Sequence, residues 1–212
     1  MIRRRIASTV AIASALATVG LAAAPAASAA TGDRSLATVL TSDGNRFDRN
    51  WYDYDIVTEA VLAVLAAKPD SAVGVLADGD VALTAFIPND RAFQVLAADL
   101  TKRWSWSEEK VFGSLVAAVG VDAVEQVLLY HVVPGTAITA AQAVKANGAT
   151  LTTAQGATIG VRVWSPRLRI VELRDQDRND VNPFLVPRAL DINAGNAQIA
   201  HGIAFVLRPA DL

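Results

Sequence analysis

Two histidines and no cysteine are available for chemistry in this sequence, and one of the histidines lies in an otherwise apolar run at residues 128–135. The residues before it, 122–129, have helical spacing, and a Pro-Gly turn signal closes the run. We therefore predict that His131 lies where a helix passes directly into extended chain. There, an imidazole can bond to the backbone of the core, or it can act as a general base with Tyr130 or an acid beside it.

The backbone-bonded interpretation of His131 is favoured, because the motifs that accompany catalytic residues are missing. The sequence has no Gly-x-Ser-x-Gly elbow. Ser107 and Lys110 have the Ser-x-x-Lys spacing, but the companion motifs of that class of enzyme are absent. An unpaired buried imidazole would cost about 1–3 kcal/mol, so backbone partners are expected. His201 falls on the large-residue face of a predicted strand, where a core position is also favoured. We predict no catalytic residue.

Oxygen-bearing side chains recur at alternate positions in one charged loop, as Asp175, Asp177 and Asn179, like the start of a calcium-binding loop. An EF-hand is excluded, because Asp180 stands at its sixth position instead of Gly and Val186 at its twelfth instead of Glu. A looser calcium site and a solvated loop remain as alternatives, and the solvated loop is favoured. We predict neither a metal site nor a cofactor.

Aromatic residues gather at two places, in residues 51–54 beside acidic residues and at Trp104 and Trp106. Aromatic side chains beside acids are common contacts for sugars or proteins, but more often they cover the edge of a core. Packing at the core edge is therefore the favoured interpretation of these aromatic residues, with an exposed platform as the alternative.

Residues 1–30 have the composition of a secretory signal peptide. They begin with three arginines, continue in an alanine-rich apolar run and end in small residues. We predict cleavage near Ala29 or Ala30 and therefore a secreted, extracellular protein. A membrane anchor is the alternative, but alanine is a poor lipid-facing residue and the small residues favour cleavage.

Charge and hydropathy narrow the range of partners. Removal of residues 1–30 takes away three arginines and no acidic residue, so the formal charge changes from −2 to −5. A mildly acidic chain argues against nucleic acid and anionic membrane as partners. We expect no transmembrane segment after signal cleavage, and a monomer. Without cysteine, neither disulfides nor thiolate chemistry is possible.

Helical periodicity comes first in the chain and strand periodicity comes later. Helices are predicted near residues 55–67, 89–100, 107–119 and 122–129, with a short helix after residue 139. Strands are predicted at residues 81–87, 158–163, 168–173 and 199–207, with an extended edge segment at 184–190. One early strand among helices, followed by consecutive strands, predicts an α+β fold rather than a repeating βαβ order.

The first residues after the predicted cleavage site, 31–54, are polar with scattered glycine and asparagine. We predict a loose N-terminal arm there, followed by a single domain over residues 55–212. Asp55 is predicted to cap the first helix of that domain. Ser105 and Glu108 have the spacing of a capping box for a later helix.

Three segments carry a resemblance to a known family. Residues 83–93 contain an apolar strand, a proline, a polar pair and then Ala-Phe, and residues 128–135 contain the Tyr-His pair. Residues 191–209 contain Asp-Ile, Asn, His and Val-Leu-x-Pro in that order. Together, and in this order, the three segments resemble the fasciclin domain family.

The resemblance implies a fold, a function and a set of binding residues. The implied fold is a fasciclin-like β-wedge packed with several α-helices, and family members are mostly extracellular adhesion and matrix modules. Tyr130 and His131 lie in the motif linked to adhesion, and Asp191 and Ile192 match a second such motif. These four are the binding residues that the resemblance implies.

We therefore expect a secreted, non-enzymatic module that binds an extracellular or cell-surface protein or cell-wall material. The alternative is a secreted hydrolase or small-ligand carrier with a pocket near Tyr130 and His131. A hydrolase of this kind requires a concave, solvent-reachable site that contains His131 and at least one acid. Two histidines that are both buried and bonded to backbone would argue strongly against it.

Overall fold

The computed structural model describes residues 32–210 with the exception of residues 43 and 45. The predicted signal peptide, residues 1–30, lies outside the described residues. The helices are α1 (Leu36–Leu40), α2 (Asp55–Ala67), a 3-10 helix (Ala72–Ala77), α3 (Asp90–Thr101), α4 (Glu108–Tyr130) and α5 (Ala140–Ala143). The strands are β1 (Leu83–Pro88), β2 (Val132–Pro134), β3 (Thr150–Thr152), β4 (Thr158–Ser165), β5 (Ile170–Arg174) and β6 (Gln198–Ile203).

These strands form two sheets of three strands each. In the first sheet, the order is β2-β1-β6, and β1 pairs antiparallel with β2 and parallel with β6. In the second sheet, β3, β4 and β5 follow one another as antiparallel neighbours. Helices combined with two small sheets confirm the predicted α+β class. The central strand β1 comes early in the chain and pairs with the last strand, so the first sheet depends on long-range contacts.

Two hydrophobic cores lie on the two sides of the first sheet. The first core packs the helices against β1 and β2, with side chains such as Val64 and Leu83 fully buried. The second core lies between the two sheets and contains Tyr130, Ile159 and Ile203. Every residue of β6 is buried, because this strand contributes Ala200 to the first core and Ile203 to the second.

The start of α2 is capped by a side chain from another helix. Tyr54 occupies the N-cap position and makes no side-chain capping bond. Instead, the Asp90 carboxylate at the start of α3 accepts hydrogen bonds from the N–H groups of Asp55 at 3.3 Å and Ile56 at 2.9 Å. The prediction that Asp55 caps this helix is therefore wrong, because a carboxylate distant in sequence satisfies its free N–H groups.

The long helix α4 contains the break that the sequence predicted between two helices. Gly120 has φ 78° inside it, a left-handed conformation that glycine adopts without a steric penalty. Ser107 caps α4 by accepting a hydrogen bond from the Lys110 N–H at 3.3 Å, so the predicted capping box beginning at Ser105 is wrong. By length and composition α4 could cross a membrane; it packs here against α2 and α3.

Part of the predicted N-terminal arm belongs to the core. Leu36 and Leu40 of α1 are buried in the first hydrophobic core, and the Leu36 N–H donates to Gln198 Oε1 at 2.8 Å. The loose conformation predicted for residues 31–54 is therefore wrong in this segment, because two leucines separated by one helical turn bury a common face. The boundary between arm and domain at residue 55 stays a prediction.

Candidate functional site

His131 lies at the predicted joint, between the last residue of α4, Tyr130, and the first residue of β2. It is 5% exposed. Its Nδ1 is 2.7 Å from the Val127 carbonyl oxygen, and its Nε2 accepts a hydrogen bond from the Leu207 N–H at 3.0 Å. Because a carbonyl oxygen can only accept, Nδ1 carries the proton and the imidazole is neutral. The backbone-bonded interpretation of this histidine is confirmed.

The protonation of His131 follows from the same geometry. Burial lowers the pKa of His131 from 6.5 to about 4, and the bond to the Val127 carbonyl opposes this shift only in part. At neutral pH the ring is therefore uncharged. Both ring nitrogens are occupied by main-chain partners, so neither is free to take a proton from a substrate.

Tyr130 connects the same helix end to the second sheet. Its side chain is fully buried in the second core, and its hydroxyl donates to the Thr158 carbonyl oxygen at 2.9 Å. Burial, with repulsion from the Asp175 carboxylate as a smaller cause, raises the pKa of Tyr130 to about 12. The phenol is therefore a neutral hydrogen-bond donor that links α4 to β4.

The second histidine, His201, also has main-chain partners on both ring nitrogens. Nε2 is 2.8 Å from the Ile138 carbonyl oxygen, and Nδ1 accepts from the Asp191 N–H at 3.2 Å. The residue is fully buried in β6, and burial lowers its pKa. Asp191 in turn accepts from the Ala140 N–H at 2.6 Å. His201 and Asp191 therefore tie β6 to the start of α5.

The four residues that the resemblance implies for binding lie at different depths. Tyr130 and His131 are buried, whereas Asp191 and Ile192 are half-buried. Ile192 exchanges main-chain hydrogen bonds of 2.9 Å with Ala200 of β6. In this arrangement Tyr130 and His131 contribute to the framework, and only the Asp191–Ile192 segment reaches the surface. Their role in binding stays a prediction.

The three segments that carry the resemblance meet at His131. The Phe86 N–H of β1 donates to the His131 carbonyl at 2.9 Å, and the Leu207 N–H donates to the His131 ring. The Phe86 ring also lies 6.3 Å from the ring of His201. Residues far apart in sequence are therefore joined in space by one histidine and its neighbours.

A cavity of about 90 Å³ lies beside His131, between α2, α3 and α4. Apart from His131, its lining consists of aliphatic and aromatic side chains and one proline, and it includes no acidic residue. The alternative hypothesis of a hydrolase required an acid next to His131 in a solvent-reachable site. This cavity does not meet that requirement.

Two groups of exposed aromatic residues, Trp104 and Trp106 with Arg91 and Tyr52 with Arg188, are together called the aromatic patch. The three aromatic residues are 63%, 44% and 70% exposed. The Arg91 guanidinium lies 4.7 Å from the centre of the Trp104 ring, and that of Arg188 lies 4.8 Å from the centre of the Tyr52 ring. The favoured prediction of core-edge packing is wrong for these three rings.

The other two aromatic residues of this region, Trp51 and Tyr54, do pack against the first core. Trp51 also meets Trp106 edge to face, with ring centres 6.4 Å apart. The aromatic patch therefore rests on a ring that is held by the core. The sequence contains the aromatic residues, but their exposure depends on which helices lie beneath them, and periodicity does not predict this.

The acidic loop at residues 174–183 surrounds an arginine. Arg208 is 5% exposed, and its guanidinium pairs with Asp99 at 3.0 Å, with Asp177 at 3.3 Å and with Asp180. Asp175 accepts from the Arg208 N–H at 2.9 Å. The prediction of a solvated loop is wrong for Asp177, which is 3% exposed. The buried guanidinium of Arg208 forms ion pairs with the acidic side chains of this loop, so Asp177 can be buried.

Carboxylates that could hold a cation occur elsewhere. The oxygens of Asp53, Asp90 and Glu108 lie within 4.8 Å of one another, and those of Asp48, Asp53 and Asp55 do so as well. The sequence prediction of no metal site overlooked both groups. Asp90 and Glu108 are each the first residue of a helix, where an acid is expected for helix stability alone, so spacing along the chain gives no sign that they converge.

Comparison with known proteins identifies the family. A family model for the fasciclin domain matches residues 58–207, a range that includes β1, the Tyr130–His131 joint and β6. The chain belongs to the fasciclin domain family. The resemblance seen in the three sequence segments is thereby confirmed. A search of curated protein sequences finds no match.

Among solved structures, this fasciclin protein is similar to the FAS1 domain pair from the insect cell adhesion molecule Fasciclin I, with a TM-score of 0.50 and 16% identity. The match covers 72% of this chain and 46% of that chain, so the fasciclin protein spans about half the length of that structure. At this identity the likeness concerns the fold alone. It agrees with the predicted fasciclin-like architecture.

Proposed function

We propose that this fasciclin protein is a secreted, non-enzymatic adhesion module that binds an extracellular or cell-surface protein or cell-wall material. The observation that carries the proposal is the fasciclin match over residues 58–207, because this family is known for adhesion and interaction modules. The neighbouring solved structure comes from an insect cell adhesion molecule. The bonding of both histidines to main chain supports a non-enzymatic role, since it occupies their ring nitrogens.

The proposed contact surface is the aromatic patch. Large aromatic side chains lose little conformational entropy on binding, and tryptophan, tyrosine and arginine are the residues that most often dominate binding energy. Their flat faces suit sugar rings or apolar side chains, and the stacked Arg91 and Arg188 suit anionic groups. A partner that combines flat apolar faces with carboxylates, such as a cell-wall glycan or an acidic protein surface, fits this patch.

In this proposal, the residues implied by the resemblance act in two ways. Tyr130 and His131 act indirectly, because they join α4 to β4 and to Leu207 and so hold the framework of the domain in place. Asp191 and Ile192 reach the surface, where a second partner contact would lie. Substitution of the buried pair would weaken binding only through loss of folded protein.

The experiment measures retention of the purified protein, residues 31–212, on cell-wall material and on a panel of extracellular proteins. We expect Trp106→Ala and Tyr52→Ala to weaken retention about tenfold, since central aromatic contacts contribute most of the binding energy. The matched control is Trp164→Ala on β4, because Trp164 is also exposed (56%) and also lies beneath an arginine, Arg162, at 4.0 Å. We expect the control variant to bind like the unaltered protein.

Two results would count against the proposal. Equal retention of Trp106→Ala and Trp164→Ala would remove the aromatic patch as the contact surface. Turnover of a hydrolase substrate that is lost when His201 or His131 is replaced, in variants that remain folded, would contradict the non-enzymatic role.

A further inference from the structure

Three acidic side chains converge near the aromatic patch, since Asp53 follows Tyr52 and Asp90 precedes Arg91 in the chain. Asp53 lies just before α2, Asp90 is the first residue of α3, and Glu108 is the first residue of α4. Their carboxylate oxygens lie within 4.8 Å of one another. The three helix starts contribute about half a positive charge each, which leaves about half of the formal charge of three carboxylates uncompensated.

Glu108 is the member of this cluster that is buried without a clear hydrogen-bond or ion-pair partner. It is 1% exposed, and neither of its carboxylate oxygens has a hydrogen bond of normal geometry among the described residues; an interaction with the Asp48 backbone offsets its burial only weakly. Oδ1 of Asp53 is likewise buried and unpartnered. Buried carboxylates in native proteins are paired, hydrogen-bonded or bound to a metal ion. Within the described part of the chain, no lysine or arginine forms an ion pair with these three carboxyls.

The pKa values of two carboxyl groups in the cluster are raised as well. Burial, together with a hydrogen bond to Asp53, raises the pKa of Asp90 to about 9. Burial and repulsion from Asp48, Asp53 and Asp55 raise the pKa of Glu108 to about 7, and a weaker effect of the Asp48 backbone opposes this. A positive charge placed among the carboxylates would relieve both the burial cost and the repulsion.

We propose that Asp53, Asp90 and Glu108 form a divalent-cation site that takes Ca²⁺. All of the ligand atoms are carboxylate oxygens, which hard cations prefer, and there is no imidazole or thiolate donor to favour zinc. Asp53 also lies within 4.8 Å of the carboxylates of Asp48 and Asp55. The larger Ca²⁺ ion accepts six to eight oxygens in flexible geometry, whereas Mg²⁺ requires a regular octahedron with several waters.

The site has a structural consequence for the surface above it. The Asp53 carbonyl accepts from the Asp90 N–H at 3.2 Å, and the Trp51 carbonyl accepts from the Arg91 N–H at 2.9 Å. A cation shared by the Asp53 and Asp90 carboxylates would hold the segment that carries Trp51 and Tyr52 more firmly against α3. This consequence rests on the proposed role of the aromatic patch, whereas the cation site does not.

The primary test is thermal unfolding of residues 31–212 at neutral pH, first with a chelator and then with 1 mM Ca²⁺. We expect Ca²⁺ to raise the Tm by about 5 °C, because a ligand that binds only the folded state stabilises it. Glu108→Gln keeps the shape of the side chain but removes its charge, and it should abolish the rise. The matched control is Glu109→Gln, since Glu109 is adjacent and exposed, and this variant should keep the full rise.

The outcomes separate the possible explanations. No change in Tm with Ca²⁺, or an equal rise in Glu108→Gln, would overturn the site. If Glu108→Gln does not fold, Asp53→Asn replaces it, because Asp53 is only half-buried. Tryptophan-sensitised Tb³⁺ emission gives an independent readout. In the unaltered protein and in Glu109→Gln, we expect added Ca²⁺ to displace bound Tb³⁺ and so to lower this emission. None of these measurements uses a binding partner, so failure of the adhesion proposal would leave the cation result unchanged.

Discussion

At the scale of single residues, the Tyr130 hydroxyl gives the simplest test of the joint between helix and strand. Tyr130→Phe removes the hydroxyl and with it the bond to the Thr158 carbonyl, so we expect a loss of about 1 kcal/mol in the free energy of unfolding. Tyr130→Ala also empties part of the second core, and the loss should reach about 3–4 kcal/mol. Urea denaturation measures both values.

The control for these variants is Tyr52→Phe. Tyr52 is 63% exposed, so removal of its hydroxyl should leave the unfolding free energy within about 0.5 kcal/mol of the original value. If Tyr130→Phe and Tyr130→Ala unfolded like the unaltered protein, the assignment of Tyr130 to the core would be wrong.

His131 leads to a prediction about pH. Its folded pKa, about 4, lies below the ordinary 6.5, so between these values the unfolded chain binds a proton that the folded chain does not. The stability contributed by the neutral ring is therefore present above pH 6.5 and is lost as the pH falls through 4. NMR should show the His131 ring titrating near pH 4 in the folded protein and near 6.5 in urea.

Other titratable groups also contribute to the dependence of the unfolding free energy on pH, so the titration of the His131 ring is measured directly. His201, whose pKa is also lowered, acts in the same direction as His131. Asp90 and Glu108 have raised pKa values, so the stability that they contribute is lost as the pH rises. A His131 signal that titrates near 6.5 in the folded protein would show that the ring is open to water.

The role of a single side chain could be predicted from the sequence where its hydrogen-bond partner is close along the chain. The bond between His131 and Val127 spans one helical turn, and its place at a helix end follows from local spacing. The cap that Asp90 supplies to α2 and the burial of Asp177 around Arg208 could not be predicted, because each partner comes from a distant segment. A spacing rule compares only neighbours along the chain.

At the scale of secondary structure elements, two glycines of α4 make a matched pair. Gly120 has φ 78° at the kink, and a Cβ there would meet no atom within 4 Å, so its cost is conformational only. We expect Gly120→Ala to lower the unfolding free energy by roughly 1–3 kcal/mol, because a positive φ with ψ 164° is a conformation essentially restricted to glycine. Gly113→Ala, in the regular and exposed part of α4, should raise it by about 0.5–1 kcal/mol.

Thermal or urea unfolding of the two α4 variants tests the kink directly. Opposite signs of the two changes are the expected outcome. If Gly120→Ala were as stabilising as Gly113→Ala, α4 would be a regular helix through residue 120, and the predicted break between two helices would not exist in solution.

Among the elements, the sequence predicted the long periodic helices and the positions of the alternating strands, but it extended the last strand to residue 207, whereas β6 ends at Ile203, and it did not predict α1. The α1 helix has five residues, too few for a periodic signal, and it is held by long-range bonds such as that between Leu36 and Gln198. Short elements that derive their stability from tertiary contacts are poorly predicted from their own residues.

At the scale of the whole molecule, the predicted signal peptide gives a direct test of localisation. When the full chain is expressed in a secreting host, we expect the protein in the medium to begin at residue 30 or 31. Mass spectrometry of the intact secreted protein measures this. Recovery of an uncleaved chain in the cell membranes would instead favour the membrane anchor.

The expectation of a monomer has its own test. Size-exclusion chromatography of the secreted form measures its oligomeric state.

The pairing of β1 with β6 has a consequence for the order of events during synthesis. Residues 83–88 lie in the middle of the first sheet, yet their parallel neighbour is residues 198–203, and the His131 ring finds its second partner only at Leu207. A nascent chain still attached to the ribosome cannot complete either contact until nearly all of it has emerged. The first sheet and the bonding of the His131 ring are therefore completed only after residues 198–207 have been synthesised.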